Sequence, residues 1–459
     1  MASETQRTAT LQLEFVVVGG GIGAHAIAYM LCIAGHKVHV LEKQPALGAP
    51  ASGIRLPPNA SKILKRWVGD EALRKTAANC LYSPWYDVES GERLGAAHWR
   101  PDVMTEAGGD FLLMAHEDVH RMVHELAVSA GAKVEFGATV EKVTPGERPS
   151  VTLEGGRVIE ADIIIGADGP RSMVRDVVLG GKVPLEYDGM TAFGATLPIS
   201  AMRNDPELSQ MLKEGAWPLG MGTSRSICGH PTRAHTEFAL MVHVTDEAAQ
   251  TPPDAEESWL DVVSLDTVNL DGLSPTFMRL LKATSCLWRT RCTKPLEVTE
   301  WYDETERIVL LGEAAHPWYA GCSHGTAMAL EDAVVLGKLF SYLTSPDQIP
   351  TFLHAYQEIR HSRTSAVRAR EVTNAAILWL PPGPHRDGRD VVCRLDRQEW
   401  DEGALKEEFE GIVDMVGYDA YDAAEEWWVR WGRYKLFPGS ERPISQMQIQ
   451  FLSEEVRIH

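Results

Sequence analysis

Residues 15–18 form an uninterrupted apolar run that stops at three successive glycines, residues 22–34 then carry apolar side chains at helical spacing, and residues 37–41 are a second apolar run. That order predicts strand, tight turn, helix, strand. Alternating stretches at 133–143 and 151–158, separated by the turn-prone Pro145-Gly146, lead to the apolar run 162–166 and predict short strands feeding the same sheet. Between residues 186 and 295 the texture changes to β-type segments near 190–197, 224–229 and 237–244. These predict a second, largely antiparallel unit with a helix around 275–281. Residues 307–312 read as one more buried strand and 325–343 as the helix after it, so the chain returns to its first domain. A long Arg-rich helix over 351–379 ends at Pro381-Pro382-Gly383, and an acidic, tryptophan-rich segment closes the chain. The expected division is 1–185 and 296–375 for the first domain, 186–295 for the inserted one, and 376–459 for a C-terminal helical segment and tail.

The turn between the first strand and helix carries a specific chemistry. In Val18-Gly19-Gly20-Gly21-Ile22-Gly23-Ala24 the pattern GxGxx(G/A) falls on Gly19, Gly21 and Ala24. Gly19 permits the tight turn, Gly21 lets backbone approach a pyrophosphate, and Ala24 is small enough for the helix to pack on the sheet. Backbone N–H groups and the positive end of the helix dipole then face the phosphates. Glu42 closes the second strand at roughly the 20-residue spacing expected of a carboxylate that binds an adenosine ribose. The acid favours an unphosphorylated ribose, as in FAD or NAD; the loop alone does not separate the two.

Composition narrows the partners. With 44 Lys and Arg against 64 Asp and Glu the formal net charge is −20, which repels nucleic acid at long range. Seven scattered cysteines without CxxC or zinc-type spacing point to a reduced, cytoplasmic protein. The polar first residues lack the apolar centre of a signal peptide, and no window is apolar enough to span a bilayer.

Two later segments carry a resemblance. Residues 162–175, with Asp162, Gly166, Asp168, Gly169, Ser172, Val174 and Arg175, match every specified position of the DxxxGxDGxxSxVR segment of class A flavoprotein monooxygenases. Gly312-Glu313-Ala314-Ala315-His316-Pro317 and Glu331-Asp332-Ala333 are similar to that family's GDAAHP segment and the EDA on its next helix. With Gly53-Ile54-Arg55-Leu56-Pro57-Pro58-Asn59 and the late Gly383–Asp390 stretch, the chain resembles a fungal salicylate-hydroxylase-like FAD monooxygenase over about residues 14 to 435. The resemblance implies an α/β fold: a Rossmann-like FAD-binding domain of the glutathione-reductase type, an inserted antiparallel β-sheet substrate domain and a C-terminal helical segment. It further implies that Asp168, Gly169, Glu313 and Gly325, at the start of the helix facing the flavin, join Gly19, Gly21, Ala24 and Glu42 in holding FAD. The segment in which the family holds FAD with an arginine here contains His116 and Arg121. Departures are Glu313 for Asp, Ala320 for a proline, His324 for the Gln of a QG pair, and His116 for the arginine.

By the same resemblance, NADPH or NADH binds transiently and reduces FAD, which takes up O2 as a hydroperoxide and transfers its terminal oxygen to a carbon nucleophile. The substrate is a phenolic or related aromatic secondary metabolite, with decarboxylation or dearomatisation among the outcomes, and the protein is a monomer or homodimer. Arg55, in the loop after the second strand, is a candidate near the isoalloxazine. Alternation puts Arg225 on one face of its strand and Ser226 and Cys228 on the other; Arg225 is a candidate anchor for a substrate anion, against a solvated surface arginine. His243 is a candidate facing the substrate, against a satisfied core histidine. Tyr82, Trp85, Tyr86 and Trp217 are candidate pocket walls. Two other readings stay open: a different flavoenzyme such as a halogenase or an oxidase, although no WxWxIP stretch is present, and a catalytically silent flavin-binding protein.

Overall fold

The computed structural model describes residues 7–48, 52–247, 261–394 and 410–433. Its first layer is a five-stranded parallel sheet in the order Ile308–Leu310, Ile163–Gly166, Glu14–Val18, Lys37–Glu42, Lys133–Phe136. The strands Ile308–Leu310, Ile163–Gly166 and Glu14–Val18 are buried on both faces, as their continuous apolar runs require, whereas the edge strand Lys133–Phe136 is half-exposed. Register places Val18 beside Gly166 and Gly166 beside Leu310, so three chain segments far apart in sequence end at one edge of the sheet. Helices Ile22–Ile33 and Gly325–Phe340 pack against each other over this layer, and Gly337 permits the approach, since a Cβ there would lie 2.5 Å from the Met30 Cβ.

The second layer is an eight-stranded sheet in the order Val262–Val263, Leu287–Thr293, Tyr187–Pro198, Glu237–Thr245, Arg225–Thr232, Leu219–Gly222, Tyr82–Asp87, Arg93–His98. Two of its strands thus come from residues 82–98, outside the 186–295 insertion read from the sequence. They join through a parallel pairing of Leu219–Gly222 with Tyr82–Asp87. The helix Pro275–Lys282 covers one face through Phe277, Leu280 and Leu281, packed with Phe193, Ile227 and Phe238.

The strands Val140–Thr144, Ser150–Leu153 and Val158–Glu160 do not feed the parallel sheet as the alternation suggested. They form a separate antiparallel meander, because their short polar-faced segments bury one side only. The long helix Ile349–Ala376 continues through a 3-10 turn, Ile377–Trp379, into the helix Pro384–Arg394. The tryptophan-rich end packs on the first layer, with Trp428 stacked on Tyr342 at 4.0 Å between centroids. The final stretch, 434–459, lies outside the described residues.

Candidate FAD and substrate site

Where the parallel strands end, three loops meet. Gly19 has φ +105°, and a Cβ on it would sit 2.4 Å from the Ala167 carbonyl oxygen, so the first turn lies directly against the loop that carries Asp168. At Gly21, the residue that caps helix Ile22–Ile33, a Cβ would meet nothing within 4 Å. Gly169 (φ +78°) likewise faces open space. Ala24 is buried beneath the loop. Arg175 ties the second loop to the third, with Nη1 donating to the Ala314 carbonyl at 3.2 Å and Nη2 to the Pro170 carbonyl at 2.6 Å.

The third loop is held by buried charge. Asp332 accepts from the Gly312 N–H at 3.0 Å, the His316 Nε2–H at 2.6 Å and the Arg360 Nε–H at 2.8 Å. Arg360 also pairs with Glu331 at 2.6 Å, and Glu331 accepts from the Asn59 amide at 2.7 Å. Burial pushes the Asp332 carboxyl up, but His316 and Arg360 outweigh it and hold the group below its ordinary range. Sequence resemblance singled out Glu331 and Asp332; the structure gives them the task of locking the turn Gly312–Ala314 against the long helix. The Glu313 side chain meets no charged group, only the Trp318 backbone N–H, and burial pushes its carboxyl up to about 7.

Other residues of this region are already engaged. Asp168 accepts from Ser172 Oγ at 2.5 Å and the Val174 N–H at 3.2 Å, and burial pushes it up. Glu42 accepts from the Gln44 N–H at 2.7 Å. His116 starts the helix His116–Ser129 with its Nδ1 buried and unpartnered, and burial pulls it down to about 4, so the ring is neutral and does not supply the charge of the arginine it replaces. Arg121 is taken up by Asp118 at 2.6 Å. One turn on from His116 sits a residue the sequence reading passed over. His120 Nε2 donates to the Gly20 carbonyl at 2.6 Å and braces the glycine loop from the side.

Beside these loops lies a cavity of about 600 Å³, walled by the eight-stranded sheet, by the segments 55–58 and 319–324 and by the C-terminal helices. Arg55 is buried at its edge. Its Nε donates to Ser323 Oγ at 3.1 Å, its Nη2 to the Gly321 and Cys322 carbonyls, and its guanidinium lies over the Trp217 ring at 5.1 Å. From the opposite side Glu371, which the sequence did not flag, takes the donors of the same loop: His324 Nδ1–H at 2.6 Å, the Ser323 N–H at 2.9 Å and Tyr319 Oη–H at 3.2 Å. Burial pushes Glu371 up, yet His324 and these donors keep it below the usual range. The loop before Gly325 is therefore gripped by its carbonyls on one side and by its donors on the other.

His243 also lines the cavity, but both ring nitrogens are engaged. Nε2 donates to the Ala320 carbonyl at 2.8 Å, and Nδ1 faces Ser226 Oγ at 3.5 Å, which itself accepts from Trp379 Nε1 at 2.8 Å. Burial pulls this histidine down to about 4, so it is a neutral brace between sheet and loop. Arg225 requires a correction. The strand presents Ser226 and Cys228 to the cavity, while Arg225 lies on the other face, where its Nη1 donates to the Asp271 carbonyl at 2.9 Å. Strand alternation, with Ile227 anchored in the core under the helix Pro275–Lys282, decides which face that is. Of the four aromatics proposed as walls, Trp85 and Trp217 line the cavity, and Tyr86 packs instead on Phe277.

The FAD binding domain family matches residues 12–371. The chain belongs to it. The relatives of this FAD-dependent monooxygenase include the FAD-dependent monooxygenase OpS4 of Beauveria bassiana, 25% identical over 422 residues covering 90% of this chain and 96% of that protein. The 3-hydroxybenzoate 6-hydroxylase of Klebsiella oxytoca is 30% identical over 412 residues, covering 88% and 97%. Among solved structures, a salicylate hydroxylase substrate complex superposes with a TM-score of 0.70 at 20% identity, covering 90% of this chain and 97% of that one.

The residues present fit FAD. Open space beside Gly21 and Gly169, the close Gly19 turn, and a half-buried carboxyl at Glu313 without a charged partner leave room and an acid where a dinucleotide's pyrophosphate and ribitol would lie. Among the described residues there is no cluster of metal ligands and no helix long and apolar enough to cross a membrane.

Proposed function

We propose that the protein uses NAD(P)H and O2 to hydroxylate a phenolic or related aromatic metabolite held in the 600 Å³ cavity. The observation that carries this is the position of that cavity. It is bounded by Arg55 and the Tyr319–Gly325 loop, at the start of the helix assigned to the flavin, and by an aromatic-rich wall on the substrate sheet. Bound FAD supplies the chemistry, activating O2 once it is reduced. Gly19, Gly21, Ala24, Glu42, Asp168, Gly169, Glu313 and Gly325 hold that cofactor in this reading. His120 fixes the loop, and the neutral His116 contributes shape without charge.

The chain's own contribution is to orient the guest and exclude water. With Nε and Nη2 spent on the loop, Arg55 keeps Nη1 at the cavity edge, suited to a phenolic oxygen, and Tyr319 offers its hydroxyl oxygen as an acceptor while donating to Glu371. Seven free thiols support a reducing, cytoplasmic setting. Purified protein is expected to release FAD on denaturation and to oxidise NADPH or NADH faster when a substrate phenol is added, with one oxygen atom appearing in the product by mass spectrometry. Failure of the folded protein to take up FAD refutes the reading. Halide-dependent chlorination or bromination of an aromatic would replace it with the halogenase alternative.

A further inference from the structure

The cavity has two unlike ends. Its densest polar cluster, Arg55, Tyr319, Ser323, His324 and Glu371, gathers at the FAD-side loop, whereas at the other end Ser83 is spent accepting from Trp99 Nε1 at 3.3 Å. From Arg55 a ladder of rings leads away: Trp217 beneath the guanidinium, Phe111 against Trp217 at 5.8 Å, and Trp99 against Phe111 at 4.8 Å. Ala96, Ala97 and Met104 complete that far end. Roughly 150 Å³ is enough space for a single benzene ring, and the ladder alone runs three rings away from the flavin-side loop, so it describes a site for more than one ring.

Charge points the same way. A benzoate-type substrate calls for a cationic clamp on its carboxylate. Arg55 spends Nε and Nη2 on the loop and faces the carboxylate of Glu371 across it. The other arginine at the wall, Arg389, is bound to Asp390 at 2.6 Å and to the Ile377 carbonyl at 2.9 Å. Among the described residues the cavity has no second uncommitted cation.

We propose, on the basis of the aromatic hydroxylase reading above, that the substrate is an extended neutral phenol of two or more rings. Its hydroxyl-bearing ring sits at the Arg55–Tyr319 end, the remainder lies along Trp217, Phe111 and Trp99, and no carboxylate is required. Specificity for length then resides in the far end, where Ala97 is small and leaves room.

The test measures binding of phenol, salicylate and 4-hydroxystilbene to the FAD-loaded protein by equilibrium dialysis, alongside their stimulation of NADPH oxidation. 4-Hydroxystilbene is expected to bind at least about tenfold tighter than phenol, the gain from burying one further apolar ring, and salicylate no tighter than phenol. Ala97→Trp fills the far end and is expected to abolish the tenfold preference while leaving phenol binding and FAD content unchanged. Should that variant misfold, Trp99→Leu removes part of the ladder and is expected to weaken 4-hydroxystilbene alone. Salicylate binding as tightly as 4-hydroxystilbene, or a preference untouched by the far-end change in a folded variant, overturns the extended-substrate proposal and leaves the hydroxylase reading standing. Binding of none of the three phenols by wild-type holoprotein counts against the cavity as an aromatic site and brings down both.

Discussion

Replacing Glu313 by Gln tests the electrostatics of the FAD cradle directly. Burial pushes this carboxyl from its ordinary 4.5 to about 7 in the folded chain. Between those values the folded protein binds the proton and the unfolded chain does not, so the stability of the cofactor-free protein falls as pH rises through the window and levels off above it. The gap, 7 − 4.5, is about 2.5 units or at most about 3.4 kcal/mol. Partial exposure of the side chain screens this to ~1–2 kcal/mol. Urea unfolding of cofactor-free protein at about pH 5.5 and about pH 8 is the assay, and the Glu313→Gln variant is expected to lose that much of the pH dependence. FAD binding should show the opposite slope: a hydroxyl donated to the carboxylate favours its charged form, so wild-type affinity rises as pH passes 7, and the variant's does not. Identical pH slopes for both proteins, in unfolding and in FAD affinity, would refute the assignment of Glu313 to the cofactor.

Five further substitutions separate roles. Gly21→Val, whose Cβ enters open space, is expected to leave the fold intact and abolish FAD uptake, whereas Gly19→Val, aimed 2.4 Å from the Ala167 oxygen, should destabilise the protein itself; thermal melts and flavin content distinguish them. Arg360→Met removes the buried cation that Glu331 and Asp332 share, leaving them only Arg363 and His316, and should cost about 3–5 kcal/mol, read as a lowered unfolding midpoint. Arg225→Ala, away from the cavity, should change kcat/KM less than twofold and stability by no more than about 0.5 kcal/mol. Trp379→Phe removes the 2.8 Å bond to Ser226 and should cost about 1 kcal/mol, with a raised KM for substrate as the wall loosens.

The centre of the parallel sheet was legible because the strands 14–18, 163–166 and 308–310 are buried on both faces and read as continuous apolar runs next to glycine turns. The glycine turns were legible on other grounds: Gly19 and Gly169 take a positive φ that few residues satisfy, and Gly21 stands at the strand-to-helix junction, where a Cβ would enter open space. The cavity was less so. Arg225 and Ser226 are neighbours on one strand, and sequence alone does not say which face meets the cofactor domain; that depended on where the helix Pro275–Lys282 docks. Glu371 sits mid-helix among charged residues and becomes distinctive only when the loop 319–325 folds onto it. His120 repeats the His116 type one helical turn later, a spacing that placed both on one face, but nothing in the sequence showed that the face meets the Gly20 carbonyl. The strands of residues 82–98 escaped because their partner, Leu219–Gly222, is distant in the chain.

The family match ends at residue 371, yet Ile377, Trp379, Arg389 and Cys393 wall the cavity. That outer wall is fastened to the sheet by Arg386, which reaches Asp87, Glu89 and Thr223, and by a backbone contact so close that a Cβ on Gly95 would strike the Cys393 carbonyl. A chimera cut at the domain boundary would therefore inherit the cofactor cradle with one side of its reaction chamber open to bulk water. Such a hybrid should squander reducing equivalents without oxygenating its guest, so engineering by module exchange has to carry the C-terminal helices along with the sheet they close.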